Sequence, residues 1–430
     1  MKLPQHTANR HMVVSGHPLA TEAAFEVLES GGNAIDAAAC AGLTLCVVAA
    51  EHVNLGGIAP ILFYSSSERR VYSIAGVGHW PTRMPPDWFV RCHGGQIPVG
   101  VARTVVLAAL DAWTTALRRW GSMSFGQIAA AAISHARHGF PVLQHTAQVV
   151  RAYADEFALF PANAAIFMPG GEPLKEGSTL VLPELAATLQ YLADEEAAGA
   201  RGSRERGLDA ARAGFYRGDI AREIVRFQAE HGGLLAMEDL ADFSSEVEDP
   251  LSSEWEGLRL HVGDTWCQGA VLLQMCNMLD AETLRRVGHN TPAYIHEIAA
   301  VATLALEDRD RFYGDPRAVQ VPIAALLSKS HARTQRGRVR EALVENGSAA
   351  HHAAAERPFR GDTAQVSVVD RFGNAVSATP SDPSYFGGPI IPTLGILASP
   401  RGLQSRADPR HPNGAAPGKR PRVTPSPVLA

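Results

Sequence analysis

Late in the chain, two runs of alternating apolar and polar positions flank a Gly-Asn turn. Residues 363–381 read Thr-Ala-Gln-Val-Ser-Val-Val-Asp-Arg-Phe-Gly-Asn-Ala-Val-Ser-Ala-Thr-Pro-Ser. Period-two alternation on both sides of Gly373 and Asn374 predicts a β-hairpin. On the first strand Thr363, Gln365 and Ser367 share one face, and Ala364, Val366 and Val368 share the other. On the second strand Ser377, Thr379 and Ser381 fall together. Pairing Val369 with Ala375 sets Thr363 directly opposite Ser381 and aligns a row of hydroxyls. A register slipped by a residue or two is the competing arrangement.

Elsewhere the apolar spacing is helical. Residues 17–30 suit an amphipathic helix closed by Gly31 and Gly32. Asn33 is placed to cap the next helix, whose run from residue 37 to 50 is apolar all round and therefore central. That run is too short to span a bilayer. Strands are predicted over 61–64 and 71–74, around the polar turn 65–69. Further helices are predicted near 104–120, 125–138, 182–196, 215–233, 237–243 and 292–313. Residues 195–212 read as a helix with an exposed loop. Residues 340–362, rich in Ala, His and Glu without a clear period, read as a mobile linker.

Composition narrows the class. The 430 residues are 46% hydrophobic and 19% charged, enough to bury a large core. A net charge of −5 gives no reason to expect nucleic acid, and the late basic residues Arg401, Arg406, Arg410, Lys419, Arg420 and Arg422, spread among prolines, read as a solvated loop. The five cysteines fit neither a zinc site nor a disulfide framework, and Cys40 and Cys46 read as core. The first residues lack the apolar stretch of a signal peptide, which makes a cytoplasmic location the expectation and an exported one the alternative. Among seventeen histidines no His-Glu-x-x-His or comparable metal spacing occurs, so no metal or organic cofactor is expected. No Gly-x-Ser-x-Gly elbow is present, which argues against an α/β-hydrolase.

The segment from Thr363 to Ser377 resembles the processing site of the gamma-glutamyltranspeptidases, Thr-x-x-x-Ser-Val-Val-Asp-x-x-Gly-Asn-Ala-Val-Ser. These are N-terminal-nucleophile hydrolases. Further matches follow in order: residues 15–20 and 31–38, then Phe215-Tyr216-Arg217-Gly218, Glu238-Asp239-Leu240 and Phe312-Tyr313-Gly314-Asp315-Pro316. The resemblance implies an α+β fold, a four-layer αββα sandwich, with 1–362 as large-subunit region and 363–430 as part of the small one. It implies that the chain cuts itself between Asp362 and Thr363 and that the two subunits stay associated. Thr363 would then carry the nucleophilic hydroxyl, with Thr379 and Ser381 orienting it. The chemistry is self-consistent. A threonine hydroxyl needs a base, and cleavage frees an α-amine on the same residue with a pKa of about 7.7–8.0. The implied substrate is a small-molecule γ-glutamyl or related acyl amide.

Departures from the family pattern bear on specificity. The family's carboxylate-binding arginine falls on Val77, which cannot make a bidentate contact; Arg83 is a nearby substitute. Gln404 takes the place of an acid that binds the substrate amine, and Pro383 or Asp382 that of an asparagine. A Ser-Ser pair becomes Val423-Thr424. No Gly-Gly counterpart of the family's oxyanion segment follows Lys419-Arg420-Pro421, so C-terminal strands are expected to be missing, as in a fragment or a truncated gene. Losing one oxyanion donor typically costs about 10²–10³ in rate. Three readings stay open: a γ-glutamyl-transferring or hydrolysing amidase, an acylase with another acyl specificity, and an inactive, unprocessed relative acting as a binding or partner protein.

Overall fold

The computed structural model describes residues 7–339 and 363–430. The expected linker over 340–362, and with it Asp362, lies outside the described residues. The strands used below are β1 (Met12–Ser15), β2 (Ile61–Ser65), β3 (Arg70–Ile74), β4 (Val247–Glu248), β5 (Leu251–Trp255), β6 (Leu258–Val262), β7 (Val366–Val369), β8 (Ala375–Ala378) and β9 (Val428–Leu429). The helices are α1 (Pro18–Glu29), α2 (Ala34–Val48), α3 (Ala109–Trp120), α4 (Phe125–His138), α5 (Pro183–Ala200), α6 (Arg204–Tyr216), α7 (Asp219–Glu230), α8 (Gly269–Met278) and α9 (Pro292–Phe312).

Helix α2 is the centre of the molecule. Every residue from Ala34 to Val48 is buried. Asn33 caps it as the sequence predicts, accepting from the amides of Ile35 and Asp36. Asp36 in turn accepts from the Asn33 amide and from Ser122 and Met123, so one buried carboxylate ties the helix start to the α3–α4 connection. Gly42 lies against Trp113, and a Cβ there would meet the indole at 2.3 Å. Burial pushes the Cys40 and Cys46 thiols up to about 12, as suits core cysteines.

A six-stranded antiparallel sheet, β1-β7-β8-β2-β3-β4, lies against α2. Beyond it the three-stranded sheet β9-β6-β5 sets β9 over β8 and β2 and carries α8 and then α9 on its far side. This gives the four layers α, β, β, α. The hairpin register is the one expected, with Val369 opposite Ala375. Val366 and Val368 turn into the core beneath, being 0% and 1% exposed. The turn is held by Asp370, which accepts from the Phe372 and Asn374 amides and from Ala34 at the start of α2.

Two helix boundaries differ from the sequence reading. α3 starts at Ala109 rather than near residue 104, because the preceding backbone is extended and bonds other segments: Val106 to His79 and Ala108 to Gly57. The 215–233 run is split, since Phe215 and Tyr216 end α6 and α7 begins only after Gly218. The loop foreseen within 195–212 falls at Arg201 and Gly202, both with positive φ. No helix among the described residues is long and apolar enough to cross a membrane.

Candidate active site

The hairpin continues past its regular pairing into an isolated bridge between Thr363 and Ser381. Their hydroxyl oxygens lie 3.0 Å apart, within hydrogen-bonding distance. Ser381 is wholly buried and is clasped on its other side by Ile58, with backbone bonds of 3.0 and 3.1 Å. The approach is close enough to require Gly57. A Cβ at that position would sit 2.2 Å from the Ser381 carbonyl oxygen.

Of the other hydroxyls on this face, Gln365 bridges Ser367 and Ser377 at 3.2 and 3.0 Å. Thr379 stands opposite Gln365 in the continued register, two pairs along from Thr363. Its hydroxyl is buried with no hydrogen-bond partner. Of the two hydroxyls expected to orient Thr363, the one at hydrogen-bonding distance from it is that of Ser381.

Arg401, expected in a solvated loop with the other late basic residues, is 0% exposed, and Arg420 and Arg422 are buried as well. Arg401 lies on a short 3₁₀ helix, Pro400–Gln404, and its guanidinium donates to the Ser381 hydroxyl at 2.6 Å and to the Asp382 carboxylate. Ser399 donates to the second carboxylate oxygen of Asp382. Arg401, Asp382, Ser381 and Ser399 are each 0% exposed, so this ion pair is fully desolvated beside Thr363. Asp382 takes φ +142°, a conformation an L residue rarely adopts. An Asp and an Arg nineteen positions apart carry no local signal of pairing.

Behind this pair, the segment after α2 holds the loop that follows Ser381. The Asp382 and Ser384 amides bond to the His52 and Glu51 carbonyls, both at 3.1 Å. Burial pushes the Glu51 carboxyl up to about 7, against the hydrogen bond from Thr146. Burial and the neighbouring His145 hold His52 down at about 4.

The expected substrate-binding residues divide. Gln404 and Thr424 come together, side chain to side chain at 2.9 Å, on the wall of a cavity of about 220 Å³ that also meets Arg309, Arg406 and Arg422. Arg83 is elsewhere, donating to the carbonyls of Gly233, Leu234 and Leu235. Val77, expected from the sequence at the family's arginine position, is 2% exposed and belongs to an apolar cluster with Ile58, Trp266, Cys267 and Val423. A larger apolar cavity of about 580 Å³, walled by Trp88, Phe160 and Phe227, shares no lining residue with this site. Among the described residues no three His, Cys, Asp or Glu side chains are grouped to hold a metal ion.

The gamma-glutamyltranspeptidase family model matches residues 20–430. Among characterised relatives, the acylase ACY 1 proenzyme of Pseudomonas sp. (strain SE83) is 30% identical over 444 residues, covering 99% of this chain and 75% of its own length. The glutathione hydrolase proenzyme of Bacillus subtilis (strain 168) is 28% identical over 440 residues, covering 97% and 72%. Cephalosporin acylase from Bacillus halodurans superposes with a TM-score of 0.83 at 24% identity, over all of this chain and 77% of that one, a likeness of fold.

Proposed function

Since this chain belongs to the gamma-glutamyltranspeptidase family and is an N-terminal-nucleophile amidohydrolase or acyltransferase, we propose that Thr363 is its nucleophile, freed by self-cleavage after Asp362. The observation that carries this reading is the Thr363–Ser381 hydroxyl pair at 3.0 Å, with the buried Arg401 guanidinium bonded to the same serine. In self-cleavage the Thr363 oxygen attacks the Asp362 carbonyl carbon, the C–N bond breaks as the amide nitrogen takes a proton, and water hydrolyses the resulting ester. The released α-amine then serves as base. In turnover Thr363 attacks an acyl amide, its amine passes the proton to the departing nitrogen, and water or an acceptor amine resolves the acyl-enzyme.

The substrate is a γ-glutamyl or related acyl amide. An acylase reading beside the glutathione hydrolase one is favoured by Val77, whose apolar setting offers no charge to a glutamyl carboxylate. The two products of cleavage stay associated. Strands β7 and β8 sit between β1 and β2, hydrogen-bonded to both.

Intact mass and N-terminal sequencing after incubation, beside a Thr363→Ala control, test the nucleophile. Two fragments, one beginning at Thr363 and absent from the control, are expected. A chain that stays whole, or a control that is cut equally, refutes the assignment.

A further inference from the structure

The apolar cavity of about 580 Å³ has the size of a small-molecule site, for which about 300–1,000 Å³ is usual. Its aromatic walls are Trp88, Phe160, Phe227 and His231, and prolines add to them. Other walls come from three distant segments that buried polar groups lock together. Arg103, next to the lining residues 98–102, donates to the Ile97, Pro98 and Phe386 carbonyls at 3.1, 2.7 and 2.6 Å. The Gly100 amide adds a bond of 2.8 Å to the Gly387 carbonyl. Asn163 is 0% exposed and directly follows the lining residues 160–162. It donates to the Ser384 and Gly388 carbonyls at 3.3 and 3.0 Å and accepts from the Ile390 amide at 2.8 Å. These segments are therefore fixed to one another, and the cavity is preformed.

Its chemistry is narrow. Among the described residues that line it, none is Asp, Glu, Lys or Arg. A charged ligand would leave water there without a counterion, at a large desolvation cost. The ionisable side chains of the lining are two imidazoles. His93 stands edge-on to Trp88 at 4.8 Å, and its Nε2 is buried with no hydrogen-bond partner. His231 stacks on Phe227 with ring centroids 4.2 Å apart, and its Nδ1 lies 2.8 Å from the Phe227 carbonyl oxygen. A carbonyl oxygen only accepts, so Nδ1 carries the proton and Nε2 of the neutral ring presents a lone pair. His231 is exposed, and the Nδ1 bond is the one its ring makes among the described residues. A lone pair on an aromatic wall, in a cavity without formal charge, suits a neutral aromatic ring that donates one hydrogen bond.

We infer that this cavity is a second, non-catalytic binding site for a phenol, whose ring packs against Phe227 and Trp88 and whose hydroxyl donates to His231 Nε2. The site does not depend on Thr363 being the nucleophile, and an uncut chain should bind equally.

Equilibrium dialysis of the full chain against 2-naphthol, its methyl ether 2-methoxynaphthalene and the anion 2-naphthoate tests the assignment. The phenol is expected to bind about fivefold more tightly than the ether, which lacks the donor, and more tightly than the anion by at least as much. His231→Phe keeps a ring beside Phe227 and removes the lone pair. It should bring 2-naphthol down to the affinity of the ether and leave the ether unchanged. Ala162→Trp, which fills the cavity, should abolish binding of both. The thermal midpoint of each variant reports whether it has folded; His231→Phe, at an exposed side chain, decides the matter if Ala162→Trp does not. No binding of 2-naphthol, an ether or anion bound as tightly as the phenol, or affinity unchanged in either folded variant would overturn the inference. A chain that binds 2-naphthol as described but never cleaves at Thr363 supports this site and removes the nucleophile assignment; one that cleaves without binding does the reverse.

Discussion

Ser381 and Thr379 project from one strand face, yet only Ser381 meets the Thr363 hydroxyl. This separates their expected effects. Ser381→Ala removes a group bonded to the attacking oxygen, and kcat is expected to fall by about 10² with a smaller change in KM. Thr379→Val removes a buried hydroxyl that has no partner, so stability and rate should both stay near wild type; a large loss in steady-state assays would show that Thr379 acts in turnover. Arg401→Met leaves the Asp382 charge buried without its main partner. Breaking such a pair costs about 3–5 kcal/mol, which chemical denaturation would register as a large drop in unfolding free energy. A midpoint within error of wild type would mean that Asp382 takes up a proton or finds another cation. The serine pairing was legible in the sequence because strand register is periodic. The Arg401–Asp382 pair was not, since it depends on how a short 3₁₀ turn packs.

At the scale of elements, α2 and the segment after it support the site from behind. The all-apolar pattern of α2 foretold its central place, but not why a glycine stands in it. Gly42 leaves room for Trp113, and Gly42→Ala should cost about 1–3 kcal/mol through overpacking. Trp113→Phe in the same background would recover part of it, and no recovery would argue against the contact as the cause. Glu51 gives the element a pH dependence. Burial raises its carboxyl from 4.5 to about 7 in the folded chain. A raised folded pKa means that the contribution to stability is whole below pH 4.5 and is lost as pH rises through about 7. Glu51→Gln cannot ionise, so it should be more stable than wild type at pH 8, by on the order of 3 kcal/mol, with the difference shrinking towards pH 4.5. Melting curves of both proteins across that range check the sign, and a constant difference refutes it. His52, held neutral by burial, contributes in the opposite direction as pH falls below its ordinary value, and it does so in both proteins.

For the molecule as a whole, the sheet order decides what cleavage would do. The hairpin after Thr363 is inserted between β1 and β2, so a cut before Thr363 leaves both of its outer edges bonded to the earlier part of the chain. The fragments should co-elute in size exclusion and separate only in denaturant; separation under native conditions would contradict this topology. Charged anchors add to the union of the two parts. Arg420 bonds Asp315 and Glu248 across the same divide, and Arg422 reaches the end of α9.

The sequence by itself determined the hairpin, the central helix with its Asn33 cap, and the family, because each is written in local periodicity or contiguous motif; it favoured the hairpin register that the structure then selected over a slipped one. Residues that alternate or recur at fixed spacing constrain one another through the backbone alone. Tertiary structure decided what surrounds the hydroxyl pair: Arg401 beside Ser381, Val77 sealed in an apolar cluster, Arg83 turned to loop carbonyls, and three arginines around Gln404 and Thr424. Those outcomes depend on segments distant in the chain arriving side by side, where burial fixes which charges must be paired and which polar groups remain for a ligand.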